Sequence, residues 1–217
     1  MSEEGSVLLK NNGALPLTQD ETQKITLLGF SSYYPVQGGD MGSSLVENTG
    51  TDADTVDMVQ AFKAKGFSMN QTVADMYEAL QPTFKSEVQS WGGTIEYNHI
   101  TAPSTTGVFS SKEPSQAALD GQNATWKDSM NDNNVMIVTI ARSASENGTY
   151  QPGTAGVDPT QNLNQTDPLG LSDDERDLIN AAVTAKAANG GKVIVLLNNA
   201  SAMEVQEIED NLSLIHI

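Results

Sequence analysis

The side chains available for chemistry are few in kind. The 217 residues include no cysteine and two histidines, His99 and His216. That excludes disulfides, thiolate metal sites and a cysteine nucleophile, and leaves almost no material for a histidine triad or a histidine-rich metal site. No metal and no cofactor are expected. Acid/base chemistry therefore falls to carboxylates, which do such work best where their surroundings bring the pKa toward the working pH. One glycine-rich run, Gly38-Gly39-Asp40-Met41-Gly42-Ser43-Ser44, follows an apolar segment. It lacks both the G-x-G-x-x-G spacing and a P-loop lysine, so a phosphate cradle is not expected, and on its residues alone the run is a flexible connector.

These residues must be held by regular elements. Four apolar, β-branched runs read as buried strands: Ile25 to Phe30, Thr94 to Tyr97, Val135 to Ile140 and Val193 to Leu197. The clearest are continuous rather than alternating, the pattern of strands covered on both faces in a parallel sheet, and Ile25 to Phe30, Val135 to Ile140 and Val193 to Leu197 are expected as interior strands. Helical patterns occupy Thr55 to Lys65, Val73 to Trp91 with a break or kink at Pro82, and Ser172 to Asn189. In the last of these, Ser172 and Glu175 have capping-box spacing, and Leu178, Ile179, Ala182 and Val183 share one face. Asp173-Asp174-Glu175 sits in its first turn, where acidic residues offset the helix dipole. The order predicts a doubly wound α/β fold, a mainly parallel sheet sandwiched by helices. Two stretches, Ala102 to Gln122 and Asn147 to Gly170, resist regular structure, and the second starts beyond the strongest strand, where open parallel sheets gather ligands. Trp91 and Trp126 read as packing residues.

Charge narrows the partners. With 28 Asp and Glu against 11 Lys and Arg, the net charge is −17, which repels nucleic acid and anionic membranes and leaves neutral ligands such as sugars compatible. No apolar run approaches the ~20 residues of a membrane span. The compartment stays open between extracellular and cytoplasmic, with a lean to the extracellular side because Met1-Ser2-Glu3-Glu4 need not be the natural start.

The string Ser6-Val7-Leu8-Leu9-Lys10-Asn11-Asn12-Gly13-Ala14-Leu15-Pro16-Leu17 reads physically as a short helix, a turn and an extended segment. From Glu4 onward it also resembles the phrase E-G-x-V-L-L-K-N-x-x-x-L-P-L that opens the second domain of family-three glycoside hydrolases. Ile25 to Gly42 is similar to that family's first strand and glycine-rich loop, Val135 to Glu146 to the strand that delivers its catalytic glutamate, and Leu171 to Glu204 to the helix and strand that follow. The resemblance spans roughly residues 4–210.

The resemblance implies a retaining, exo-acting, β-glucosidase-like enzyme that hydrolyses β-glycosidic bonds in an oligosaccharide or other β-glycoside. The chain would supply the acid/base and part of the sugar site, and a missing (β/α)₈ barrel of the same polypeptide would carry the nucleophile. Glu146 matches the acid/base glutamate. The family pattern S-G-E-G-x-D-R is replaced here by Ser143-Ala144-Ser145-Glu146-Asn147-Gly148-Thr149, and Asp158 in the same loop is the rival acid. By the same resemblance Gly38, Gly39 and Asp40 form a substrate-facing lip, with Tyr33 or Tyr34 stacking on a sugar. Arg142 joins the substrate-binding set, orienting Glu146 by charge pairing or binding a neighbouring loop. Residues 1–211 are expected to form a partial sandwich domain, inactive alone. Leu212 to Ile217 matches the translation of a sequencing adapter and is expected to lie outside the natural protein. A non-catalytic α/β module that binds a small ligand or carbohydrate is the alternative, and a degenerate site within the same family is a third.

Overall fold

Val135–Arg142 is buried along its whole length and pairs on both sides, so it forms the centre of the sheet. The structure is a computed structural model that describes residues 5–22, 24–35, 56–84, 86–90, 93–97, 113–142, 169–199 and 202–212. Its strands are β1 (Ile25–Leu28), β2 (Ser86–Ser90), β3 (Gly93–Tyr97), β4 (Val135–Arg142) and β5 (Lys192–Asn199). Its helices are α1 (Met58–Ala64), α2 (Gln71–Leu80), α3 (Gln116–Gln122), α4 (Asp173–Asn189) and α5 (Gln206–Leu212). The main sheet has the order β1-β4-β5, all parallel, as the continuous apolar runs predict.

Alternation along β4 sends Met136, Val138 and Ile140 to one face and Val135 and Ile137 to the other. The first face packs against Val73, Met76, Tyr77 and Leu80 of α2, Leu119 of α3, Leu178, Ile179, Ala182 and Ala185 of α4, and Ile208 of α5. The second is covered by Met58, Val59 and Phe62 of α1 together with Ala14, Leu15 and Leu17. Each fully buried aliphatic contributes roughly 1.5–3 kcal/mol, so the four-helix face carries most of the stabilisation.

Helix α4 begins as its spacing predicts. The Ser172 side chain accepts from the Glu175 N–H at 3.2 Å, the Glu175 carboxylate accepts from the Ser172 N–H at 2.8 Å, and Gly190 closes the helix in the left-handed region. Asn70 caps α2, and its amide also donates to Thr26 Oγ1 and Ser129 Oγ, tying the helix to β1 and to the segment before β4.

Four expectations change. The helix foreseen over Val73 to Trp91 ends at Leu80, because Pro82 stands in the following 3₁₀ turn and supplies no N–H to continue the ladder. Residues Ser86–Ser90 then pair antiparallel with Gly93–Tyr97, so the strand read at Thr94 to Tyr97 exists outside the main sheet. The stretch Ala102 to Gln122 contains α3, started by the Ser115 cap. Residues 6–22 hold no helix, since the Asn11 side chain accepts from the N–H groups of Gly13 and Leu15 and donates to the Leu15 carbonyl, replacing helical bonds with a side-chain-built turn.

The expectation of three interior strands holds fully for β4. β1 gains a single parallel bridge from Ile25 to Met69 on its outer side. Among the described residues β5 pairs only with β4, and its Leu196 is 42% exposed. An apolar run reports that the faces are covered and says nothing of what lies beside the edge.

Candidate functional site

The carboxyl ends of β1 and β4 lie side by side, and polar side chains are buried there in number. After Leu28 the chain passes Gly29, with φ 91°, and enters a 3₁₀ turn over Phe30–Ser32. A Cβ on Gly29 would sit 2.2 Å from the Thr139 carbonyl oxygen, so only glycine lets β1 leave the sheet this close to β4. The freed backbone groups are taken up by side chains. Gly29 N–H donates to the Tyr77 hydroxyl at 2.9 Å, and Phe30 N–H donates to Glu113 Oε2 at 2.7 Å. Ser32 Oγ donates to the Leu28 carbonyl at 2.8 Å and lies 2.6 Å from Thr139 Oγ1.

Five aromatic rings meet at the same turn. Phe30 stacks on Phe84 with centroids 4.7 Å apart, and Tyr34 lies 4.9 Å from Phe30. Tyr33 stacks on Tyr77 at 4.7 Å and donates its hydroxyl to the Leu27 carbonyl. The phenols of Tyr77 and Tyr33 are pushed above the ordinary range, chiefly by burial, with the charges of Glu113 and Asp75 respectively adding to it. Glu113 is likewise raised well above the usual carboxylate range, first by burial and then by Glu175 and Asp174, against the opposing Phe30 hydrogen bond and the charge of Arg142.

At the end of β4, Arg142 is fully buried and meets Glu175 in a two-pronged pair, with Nη1 to Oε1 at 2.6 Å and Nη2 to Oε2 at 3.0 Å. Nη1 also donates to the Ala141 carbonyl and Nη2 to the Gly170 carbonyl at 2.9 Å. The same Glu175 oxygen that meets Nη2 completes the capping box of α4. One ion pair thus joins the strand end, the chain before α4 and the first turn of α4. Among the described residues four buried side-chain polar atoms lack a hydrogen-bond partner, and three of them, Ser31 Oγ, Glu113 Oε1 and Arg142 Nε, are at this end of the sheet. Such orphans are costly in a native interior.

The sequence profile described as the glycosyl hydrolase family 3 C-terminal domain matches residues 6–215. The chain belongs to this family. The fold is also that of solved structures of β-glucosidase 3B from Thermotoga neapolitana. The complex with α-D-glucose superposes with a TM-score of 0.60 at 23% identity, over 97% of this chain and 24% of that one. The glycerol complex gives 0.59 at 24% identity, over 94% and 24%. The chain therefore spans about a quarter of the length of the solved proteins it matches. No curated protein matches it significantly.

For a family 3 C-terminal domain the described residues place one of the expected site residues. Arg142, expected to contact substrate, has its guanidinium buried on Glu175 and Gly170. Of the two roles read for it, the Gly170 contact is the binding of a neighbouring segment, and its charge partner is Glu175. Gly38, Gly39, Asp40, Glu146 and Asp158 lie outside the described residues. Tyr33, considered for sugar stacking, has its ring on Tyr77. Trp126 is buried as expected, and its indole N–H donates to Asp120.

Sequence reasoning missed two members of the cluster. Glu175 carried a capping signal, and nothing in its spacing paired it with a residue 33 positions away. Glu113, between Lys112 and Pro114 in a stretch read as irregular, carried no signal at all.

Proposed function

We propose that this chain is the acid/base and sugar-contacting domain of a retaining, exo-acting, β-glucosidase-like hydrolase, working with a (β/α)₈ barrel of the same polypeptide that carries the nucleophile. The observation that carries this reading is the buried clamp on Arg142, which fixes the end of β4 four residues before Glu146. A carboxylate that must serve as acid and then as base needs a rigid root, because its hydrogen-bond geometry to the leaving oxygen decides its efficiency. In this mechanism Glu146 protonates the departing glycosidic oxygen while the barrel's carboxylate, ~5–5.5 Å away, attacks the sugar; Glu146 then deprotonates the water that releases the glycosyl-enzyme. Gly38, Gly39 and Asp40 form the lip that receives the sugar, with Asp40 accepting from its hydroxyls.

The test uses the longer, barrel-containing polypeptide. Glu146→Ala should lower cleavage of alkyl glycosides by ~10²–10⁴-fold while sparing activated aryl glycosides, whose leaving groups hardly need a proton. Azide should restore part of the lost turnover by attacking the glycosyl-enzyme without base assistance. If Asp158→Asn gives this leaving-group signature and Glu146→Ala does not, the acid is Asp158 and the assignment is wrong.

A further inference from the structure

Glu113 is unlike any other carboxylate among the described residues. It is 2% exposed, one oxygen accepts from Phe30 N–H at 2.7 Å, and the other has no partner. It lies two positions before Ser115, the cap of α3. The charged and titratable groups facing it come from three elements: Tyr77 on α2, Arg142 at the end of β4, and Asp174 and Glu175 on α4. Arg142 is the one cation in this set, and it is committed to Glu175 by two hydrogen bonds.

A buried ionised carboxylate ordinarily needs two or three donors or a bonded cation. Glu113 has one neutral donor. Its burial costs far less as the neutral acid, with the proton on the oxygen that lacks a partner, than as the carboxylate. What it holds there is the first residue of the 3₁₀ turn through which β1 leads to the glycine-rich segment.

We propose that Glu113 is a proton-dependent latch on the exit of β1: as the carboxylic acid it stays buried and positions Phe30, and on ionisation it leaves for water and releases the turn. The inference does not depend on which residue is the catalytic acid. Its sign follows from linkage. A carboxyl with a higher pKa in the closed state than in the open one gives the closed state a stability that is complete below the open-state value of ~4.3 and is lost as pH rises through the raised value.

The test is made on the 217-residue chain. With ¹³C-labelled glutamate carboxyls, the resonance that disappears in Glu113→Gln should titrate above the ordinary carboxylate range. After correction for intrinsic base catalysis, the Phe30 amide should lose at least tenfold of its exchange protection over that same pH interval, whereas Val138 in β4 should not. In Glu113→Gln, which cannot ionise, Phe30 protection should be flat with pH. Titration of Glu113 in the ordinary carboxylate range would overturn the latch, as would wild-type Phe30 protection that is independent of pH or an equal loss in the Gln variant. Should the variant not fold, the wild-type chain decides alone, because Phe30 release must coincide with a raised glutamate titration.

Discussion

At the carboxyl ends of β1 and β4 the protein buries Ser31, Ser32, Glu113, Thr139, Arg142 and Glu175, whereas beside β5 it leaves Val7, Leu8 and Leu9 between 64% and 79% exposed. The exposed side chains join Leu196, Leu197 and Val205 around a groove of about 500 Å³. Ordinary burial preference is reversed in both places. The contrast teaches that polarity in this fold follows position along the strands: the buried polar groups are spent on holding chain segments where they leave the sheet, and the exposed apolar ones line its outer edge. If that is right, substitutions at the strand ends should be far more damaging than those beside β5, whatever their hydrophobicity.

The largest effect is expected at Gly29. Gly29→Ala forces a methyl against the Thr139 carbonyl at a positive φ, and should cost at least ~3 kcal/mol in denaturant unfolding. A loss below ~1 kcal/mol would mean that β1 can move away from β4 freely. Arg142→Met is expected to have a comparable effect: it strands Glu175 as a buried unpaired charge and should cost ~3–5 kcal/mol in the same assay. At the other extreme, Leu8→Ser and Leu9→Ser should each change stability by no more than ~0.5 kcal/mol, because both side chains stay mostly in water. A large loss there would erase the comparison.

Much of the scaffold was readable from local chemistry. The apolar runs of β1, β4 and β5 gave a parallel sheet, and Ser172 with Glu175 gave the start of α4, because both signals are written in adjacent or periodic residues. Within the Ser6-to-Leu17 string, Asn11 builds the turn that the sequence suggested. Misreadings arose where a local pattern had two outcomes. Residues after Pro82 continued a helical-looking polarity yet formed a β-hairpin arm, and Ser115 capped a short helix inside a stretch that looked irregular. The clamp was illegible for another reason: Glu113 with Phe30, and Arg142 with Glu175, are 83 and 33 residues apart, and no periodicity encodes such distances.

The most direct test of the claim that the strand-end charges serve position rather than stability is a double-mutant cycle on Arg142→Met and Glu175→Met, followed in denaturant and, in the proposed barrel-containing polypeptide, by turnover of an alkyl β-glycoside. Removing both charges together should recover most of the stability lost by either single change, since a buried ion pair is commonly no more stabilising than well-packed apolar residues of its size. Turnover should nevertheless stay at least tenfold down, because the root of the segment that bears Glu146 is no longer held at Gly170 and α4. Turnover that returns in step with stability would contradict the account and reduce the pair to an element of the core.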